Sequence, residues 1–337
     1  MRDVAIVSFA QTVDARSELD EVEMLAPTIA EALSAAKLGK KDVDFTVSAS
    51  CDYLGGRPFS FVTALDAVGA WPPIRESHVE MDGAWALYEA WVALQHGDID
   101  VAMVYAFGRS TEGALHDILA AQLDPYLVAP LGVDAVSLAA LQARAMIDAG
   151  MCSERDMAGV VARATGRSVD ELLAAPYVAS PLRAHDCGAP ADAAAVVVLA
   201  AGNRANDSCA RPAWIRGIDH RIEPAALGAR DLTRVRSAEI AAAKVGVATS
   251  EVDVAEIDAP FSHQAILLAK ALGLDASVSI NPSGGSIVMW PFVVSGLLRV
   301  GEAARRVIDG DARRAIAHAT SGTCLQQNLV CVLEGAP

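Results

Sequence analysis

The sequence has few basic residues relative to its acidic ones. Lysine and arginine together number 27, against 42 aspartates and glutamates, which gives a formal net charge of −15 at pH 7. Nucleic acids and anionic membrane surfaces attract clusters of positive charge and repel a strongly acidic chain. The composition therefore argues against both as partners, and an anionic ligand would need a local positive site.

The sequence also lacks an uninterrupted apolar run that could span a membrane. Its longest uncharged stretch, residues 276–298, is broken by Asn281, Gly284, Gly285 and two prolines, which is typical of a buried loop followed by a helix. The first residues enter a predicted strand directly, without the apolar region of a signal peptide. We therefore expect no membrane span and a cytoplasmic protein.

Cysteines are few and scattered, with neither close pairs nor the spacing of zinc ligands. We expect reduced thiols, no disulfide and no metal site. The six cysteines are Cys51, Cys152, Cys187, Cys209, Cys324 and Cys331.

Aromatic residues make up only 5% of the chain, yet 53% of it is hydrophobic, so small aliphatic side chains supply most of the apolar content. At 337 residues the chain is long enough for one large or two medium domains. A large core alone could explain this composition. The interpretation we favour adds a buried subunit interface in a homo- or hetero-oligomer.

What the sequence does contain is an internal repeat. Residues 29–49 read as an Ala-rich amphipathic helix, a glycine stop, an Asp-led turn and a strand, and residues 237–259 repeat that order. A second unit, with a long apolar helix followed by a strand, occurs in residues 65–106 and again in residues 271–319. Such a duplication predicts two α/β halves with any active site where they meet.

The repeat also sets the predicted domain bounds. The first half is residues 1–205, and the second is residues 212–337. Residues of about 109–185 fit neither repeat, and we interpret them as an excursion from the first half that covers the junction. A polar link between the halves is predicted over residues 204–211.

The sequence predicts a helix on either side of the junction. Residues 83–96 are apolar all round and predict a buried helix. In the second half a helix is predicted over residues 290–308. A further helix is predicted over residues 59–68, after a Gly/Pro-containing loop.

Five short motifs stand near the junction: Val79-Glu-Met-Asp-Gly-Ala84, Asp192-Ala-Ala-Ala195, Glu256-Ile-Asp-Ala-Pro-Phe261, Asn281-Pro-Ser-Gly-Gly285 and Gln326-Gln-Asn328. Together with the repeat they resemble the thiolase superfamily, most closely the sterol-carrier-type thiolases, or lipid-transfer proteins, of bacterial acyl-CoA and steroid breakdown. The resemblance covers nearly the whole chain. It implies a duplicated α-β-α-β-α layered sandwich of two mixed-sheet halves, with a CoA thioester as substrate or ligand and no other cofactor.

The resemblance also implies a set of catalytic groups that this chain largely lacks. A working thiolase uses a nucleophilic cysteine at a helix N-terminus, an activating histidine, an oxyanion-hole histidine or asparagine, and a second acid/base cysteine. In this alignment Gly83 stands at the nucleophile, Trp290 at the activating histidine, Asp258 at the oxyanion-hole histidine and Gly322 at the second cysteine. Glycine forms no thioester, so the alignment excludes acyl transfer through a cysteine.

Three residues remain as catalytic candidates. Asp258 is either a general acid or base with a raised pKa or a cap of the next helix, and Asp82 is either a base facing the junction or a helix N-cap. His263 is either a satisfied buried histidine or a catalytic group. The resemblance further implies a pocket formed by Asn281, Gly284, Gly285, Cys324 and Gln326, in which Cys324 is expected to be inert.

Two functions fit these features. The favoured one is a thiolase-like subunit in acyl-CoA degradation, of steroid or lipid side chains, that works in a heteromer with another thiolase-like chain. The resemblance adds an OB-fold/zinc-ribbon acyl-CoA-binding protein as a further partner. The alternative is a retro-aldolase that cleaves a β-hydroxyacyl-CoA without a covalent thioester. The resemblance implies tyrosines in such lyases, and the segment around Asp258 offers none.

Overall fold

The computed structural model describes residues 1–246 and 251–335. Residues 247–250, in the predicted turn of the second repeat, and the last two residues of the predicted second half lie outside the described residues. The strands are β1 (Val4–Asp14), β2 (Phe45–Ala49), β3 (Glu76–Val79), β4 (Val101–Arg109), β5 (Tyr177–Ala179), β6 (Leu182–Arg183), β7 (Asp192–Ala201), β8 (Ala213–Ile222), β9 (Val254–Ile257), β10 (Ser279–Ile280), β11 (Arg314–Ser321) and β12 (Gln327–Glu334).

Helices separate most of these strands. They are α1 (Glu21–Ala35), α2 (Asp52–Gly55), α3 (Leu65–Val68), α4 (Gly83–His96), α5 (Leu115–Ala121), α6 (Ala135–Asp148), α7 (Glu154–Thr165), α8 (Val169–Leu173), α9 (Asn203–Ser208), α10 (Arg236–Val245), α11 (Ser262–Ala271), α12 (Gly285–Val288) and α13 (Ser295–Asp309). Across the described ranges, no helix is both long and apolar enough to cross a membrane.

The sheet repeats one topology in two halves. Its strand order is β10-β9-β11-β12-β8-β1-β7-β4-β2-β3. The first half runs outward as β1-β7-β4-β2-β3 and the second as β8-β12-β11-β9-β10, so the strands of the two halves correspond one to one. In each half three strands run parallel, while the remaining pairings are antiparallel. The halves join where β1 pairs with β8 over the short register of Ala5 with Trp214 and Ile6 with Ala213.

Helices α4 and α13 occupy the middle layer. One core cluster combines residues of α4, such as Leu87 and Leu94, with residues of α13, such as Leu297 and Val300, and inward residues of both halves of the sheet. Helix α1 packs on the outer face of the first half, and α10 and α11 pack on the outer face of the second. This arrangement confirms the predicted layered α/β fold.

Three predicted elements differ from the structure. The predicted polar link contains α9, because residues 203–208 form a helical turn after β7. The predicted helix over residues 290–308 begins only at Ser295, since Pro291 lacks the N–H that a helix interior needs. The predicted helix over residues 59–68 is a 3-10 turn, Ser60–Ala64, that leads into the short α3.

Candidate functional site

A cavity of about 210 Å³ lies where the N-terminal ends of α4 and α13 meet. Both halves contribute to its wall, and so do residues of the segment 109–185, including Leu119, Gln122 and Ala135. The other wall residues are Cys51, Tyr53, Glu80, Met81, Asp82, Pro260, Phe261, Gln264, Trp290, Phe292, Val293, Thr320, Ser321, Gly322, Thr323, Cys324 and Leu325. The wall is mainly apolar with a few polar groups, which is typical of a small-molecule site.

Asp82 is the buried acid of this wall. It is the N-cap of α4, and its Oδ1 accepts the Ala84 N–H at 2.8 Å. Its Oδ2 accepts the N–H of Gly296, at the start of α13, at 2.7 Å. One carboxyl therefore links the N-terminal ends of the two central helices. Asp82 is both the helix N-cap and a residue of the cavity wall, so its two predicted positions are compatible.

Asp258 lies at the end of β9, outside the wall and fully buried. Its Oδ1 accepts hydrogen bonds from the hydroxyls of Ser286 at 2.6 Å and Ser295 at 2.8 Å. Its Oδ2 accepts the N–H of Thr320 at 3.4 Å. Because Ser295 and Gly296 are adjacent, Asp258 and Asp82 are held by neighbouring residues of α13.

Burial and a neighbouring charge make ionisation of these two carboxyls costly. Burial raises the pKa of Asp82 well above its ordinary value, and the charge of Asp258 raises it further. Burial also raises the pKa of Asp258, although the two serine hydroxyls and Arg299 oppose that shift. At Asp82 the backbone N–H groups of Ala84 and Gly296 oppose the rise.

Gly83 lies in a close helix contact and not in the cavity wall. A Cβ atom at this position would lie 2.7 Å from Ala106 Cβ, on β4, and 2.8 Å from Leu297 Cβ, on α13. Gly296 is the equivalent residue of the second half, where a Cβ would lie 2.5 Å from Ala319 Cβ on β11. A side chain at Gly83 would therefore enter the packed middle layer, while Asp82 reaches the cavity from the same turn.

Two cysteines, rather than Cys324 alone, border the cavity. Burial raises the pKa of Cys324 to about 11, and its Sγ donates to the Leu138 carbonyl at 3.4 Å. Burial also raises the pKa of Cys51, and the nearby Glu80 carboxylate acts in the same direction. Within residues 1–246 and 251–335, no histidine is hydrogen-bonded to either sulfur, so both are neutral thiols at neutral pH.

His263 is a buried neutral histidine outside the cavity wall. Its Nε2 lies 3.2 Å from Gln142 Oε1, and burial lowers its pKa to about 3. Its neighbour Gln264 borders the cavity and donates to the same Gln142 oxygen at 3.0 Å. The structure thus places Gln264, which no sequence motif selects, where His263 was the candidate.

Trp290 and Gly322, two of the positions that depart from the thiolase pattern, are both wall residues. The Trp290 ring meets Phe292 edge to face, with the ring centroids 5.8 Å apart. The backbone N–H of Trp290 donates to the backbone carbonyl of Ala189 at 2.7 Å. This hydrogen bond joins the wall to the segment before β7. A large apolar ring therefore stands where the alignment places a catalytic histidine.

Four residues of the predicted pocket lie outside the wall. The Asn281 side chain accepts the Ile257 N–H at 2.6 Å and donates to the Ile257 carbonyl at 3.1 Å, which fixes the end of β9. Gly284 and Gly285 form the turn behind it, and Gln326 donates to the Glu223 carbonyl at 3.1 Å. This motif positions Asp258 and leaves the lining of the cavity to other residues.

A buried ion pair supports the same loop. Glu256 Oε2 lies 3.0 Å from Arg299 Nη1 and accepts the Ser283 hydroxyl at 2.6 Å. Burial raises the pKa of Glu256 even though Arg299 opposes the shift. The pair ties the second residue from the end of β9 to the second turn of α13, and so fixes the strand end that carries Asp258.

The chain is similar in sequence to two acetyl-CoA acetyltransferases, although no family model matches it. It is 26% identical over 187 residues to the acetyl-CoA acetyltransferase of Methanothermobacter thermautotrophicus, an alignment that covers 46% of this chain and about half (49%) of that protein. It is 24% identical over 331 residues to the acetyl-CoA acetyltransferase of Methanocaldococcus jannaschii, covering 85% of this chain and 84% of that one.

Solved structures match over the full length. The Ltp2-ChsH2(DUF35) aldolase superposes with a TM-score of 0.80 at 18% identity, covering 98% of each chain. Human mitochondrial 3-ketoacyl-CoA thiolase superposes with a TM-score of 0.81 at 14% identity, covering 100% of this chain and 99% of that one. The same enzyme in complex with CoA gives a TM-score of 0.78. With the duplicated topology, these likenesses show that the chain has the thiolase fold.

Proposed function

We propose that this chain cleaves a carbon–carbon bond of a β-hydroxyacyl-CoA by retro-aldol chemistry, without a covalent acyl-enzyme. The observation that carries the proposal is the buried acid Asp82 in the cavity wall, beside two cysteines that are neutral thiols. A thiol that keeps its proton is a poor nucleophile. A carboxyl with a raised pKa is suited to proton transfer near neutral pH.

The reaction needs only groups of the kind that the wall offers. A base removes the proton of the β-hydroxyl, the Cα–Cβ bond breaks, and its electron pair moves into the enolate of the shortened thioester. The enolate carbon then takes up that proton, which releases a carbonyl compound and an acyl-CoA. Carboxyls of Glu80 and Asp82, both on the turn before α4, are the wall groups that move protons.

The comparisons support this chemistry at the level of the scaffold. One structural neighbour is the Ltp2-ChsH2(DUF35) aldolase, and another is a thiolase solved with CoA. Tyr53 supplies a tyrosine to the wall, from the opposite half to Asp258. We expect the acyl part to be a lipid or steroid side chain and the protein to act with a partner.

A second candidate is a subunit whose own cavity does no chemistry. Several large apolar side chains are exposed: Phe59 is 69% exposed, Trp71 87%, Tyr126 86% and Leu131 75%. Exposed aromatic and leucine residues of this kind often mark protein interfaces. In this role the chain would pair with a catalytic thiolase-like chain or with an OB-fold/zinc-ribbon acyl-CoA-binding protein.

Activity of the purified chain separates the two candidates. Incubation with β-hydroxyacyl-CoA thioesters of increasing chain length should release a carbonyl product and a shorter acyl-CoA, detected by mass spectrometry. Asp82→Asn should lower the rate by about 10²-fold or more, the usual effect of losing an acid or base. Asp275→Asn, which changes an exposed aspartate hydrogen-bonded to Ser277, should leave the rate unchanged.

Two results would reject the lyase. One is an inert chain, alone and with its co-purified partner. The other is a rate that survives Asp82→Asn in a correctly folded variant. A chain that is inert alone, and whose partner's activity tolerates that substitution, would support the second candidate.

A further inference from the structure

One residue of the cavity wall, Gln264, has a side-chain oxygen without a partner. Gln264 is the third residue of α11, borders the cavity and is 2% exposed. In the part of the chain that the structure describes, no hydrogen-bond donor reaches its Oε1. Buried acceptors in folded proteins almost always have a donor, so an exception at a cavity wall indicates a place for a ligand group.

The orientation of the Gln264 amide depends on Gln142, a fully buried residue of α6. The Nε2 of Gln142 donates to two backbone carbonyls, that of Leu232 at 3.2 Å and that of Cys324 at 3.4 Å. The reversed amide would place its oxygen against these two carbonyl oxygens, and all three can only accept hydrogen bonds. Gln142 therefore presents its Oε1, and not its NH₂ group, to α11.

Two nitrogens of α11 approach that oxygen. Gln264 Nε2 lies 3.0 Å from Gln142 Oε1, and His263 Nε2 lies 3.2 Å from it. Both nitrogens donate, because an amide oxygen only accepts. Turning the Gln264 amide over would bring two acceptor oxygens into contact. Gln264 Oε1 therefore points away from Gln142, and it is the group of this amide that remains for a ligand.

The network also shows what the segment 109–185 adds to the site. Helix α6 belongs to that segment, and Gln142 lies outside the cavity wall. From there it holds two wall residues of the second half, Gln264 on α11 and Cys324 after β11. A wall acceptor fixed in this way is preorganised, since its orientation need not change when a ligand binds.

The unpaired oxygen restricts the chemistry of the ligand. A suitable ligand must bring an O–H or N–H group to this part of the wall. The carbonyl and the sulfur of a thioester carry no such hydrogen, whereas a β-hydroxyl does. The cavity of about 210 Å³ is smaller than the range of about 300–1,000 Å³ that is usual for drug-sized ligands, so it suits the acyl end of a CoA thioester.

We infer that Gln264 Oε1 accepts a hydrogen bond from the β-hydroxyl of a bound acyl-CoA and so selects hydroxylated over saturated acyl groups, with Gln142 as the positioning residue of this oxygen. The inference rests on the proposed function and names the residue that recognises its substrate. The Gln264 amide neither takes up nor releases a proton, so its role is in binding. The shortened acyl-CoA that the reaction forms has no hydroxyl and leaves Oε1 unpaired, which favours its release.

Two unreactive ligands test the inference on the full-length wild-type protein. The thioethers 3-hydroxybutyl-CoA and butyl-CoA differ in the hydroxyl alone. Neither has a thioester carbonyl, so no enolate forms and no bond breaks during the measurement. In isothermal titration calorimetry the hydroxylated thioether should bind about tenfold more tightly or better, because butyl-CoA leaves the buried oxygen without a donor.

Substitutions then assign that preference to its residues. Gln264→Met removes the acceptor and keeps a long unbranched side chain, so the ratio of the two affinities should fall to about one. Gln142→Met should also lower the ratio, although Gln142 lies outside the wall, because the Gln264 amide can then turn over. Gln95→Met is the matched control: Gln95 lies near the far end of α4, where its side chain bonds to the backbone of Arg2, and the ratio should stay unchanged.

The outcomes separate the inference from the proposed function. Wild-type protein that binds neither thioether nor 3-hydroxybutyryl-CoA counts against the proposed function. Equal binding of the two thioethers to wild-type protein overturns the inference alone, as does a preference that is retained in folded Gln264→Met. The wild-type comparison decides the matter even where a variant does not fold.

Discussion

Substitution of Gly83 tests whether this position can carry a side chain at all. Ala106 Cβ lies 2.7 Å and Leu297 Cβ 2.8 Å from the place of an added Cβ. Apolar carbons pack at about 3.5–4.0 Å. Gly83→Ala therefore requires β4 or α13 to move by about 1 Å.

Gly83→Ala should lower the stability of the protein, whereas the same substitution at an ordinary helix glycine raises it. Overpacking a core costs about 1–3 kcal/mol, whereas alanine in a helix gains up to about 1 kcal/mol over glycine when space allows. With an unfolding entropy of about 2.1 cal/mol/K per residue, 1 kcal/mol corresponds to about 1.4 °C for a chain of 337 residues. Gly83→Ala should lower the unfolding temperature by about 1–4 °C.

Gly159, inside α7, is the matched control. A Cβ there would meet only Arg163 Nη1, at the ordinary distance of 3.7 Å. Scanning calorimetry should show Gly159→Ala raising the unfolding temperature slightly, by about 1 °C. An equal rise in Gly83→Ala would refute the close contact.

The same position tests the missing nucleophile. Gly83→Cys should destabilise the protein more than Gly83→Ala, because the sulfur adds to the contact with Leu297. It should also gain no acyl mass when incubated with an acyl-CoA. A stable variant that forms a thioester would show that the position faces the ligand and that only the residue type prevents acyl transfer.

Three other predictions concern the surroundings of the site. Arg299→Met leaves Glu256 buried without its partner and should destabilise the protein by about 3–5 kcal/mol; the Glu256 pKa should rise further, so denaturation curves should show the loss shrinking as pH falls and Glu256 becomes neutral. Cys324 should react slowly with iodoacetamide at pH 7, and the rate should rise about tenfold per pH unit toward its pKa of about 11; fast, pH-independent labelling would contradict the buried thiol. Gly285→Ala should destabilise measurably in chemical denaturation, because φ is +67° and a Cβ would lie 2.5 Å from Asn281 Nδ2; an unchanged midpoint would contradict that contact.

The layered fold was predictable because its signals are repeated and local. The all-apolar helix over residues 83–96 has the predicted bounds in the structure, and the two halves share a strand order. The start of α13 was misplaced because the apolar run from Trp290 continues through the loop, and only Pro291 marks the break. Helix α9 was missed because most of its residues are polar and few of its side chains, such as that of Ala205, are buried.

The candidate site was only partly predictable. Asp82 and Asp258 follow from motifs, but their interaction depends on Ser286, Ser295 and Gly296, which are distant in sequence and carry no catalytic signature. Glu80 belongs to the quoted motif, yet its place in the wall depends on how the turn before α4 is oriented. For His263 the sequence left two interpretations, a satisfied buried histidine or a catalytic group; the structure buries it against Gln142, and its neighbour Gln264 borders the cavity.

Two helix N-termini meet at Asp82, and their charge favours its ionised form. Each terminus is equivalent to about +0.5 of an elementary charge, so the ends of α4 and α13 together balance about one anion. In the thiolase arrangement that the sequence resembles, that anion is a cysteine thiolate. Here Asp82 takes that position: its oxygens accept the N–H of Ala84 at the start of α4 and that of Gly296 at the start of α13. Burial and the charge of Asp258 oppose that ionisation. The balance leaves, at the cavity wall, a carboxyl with a raised pKa.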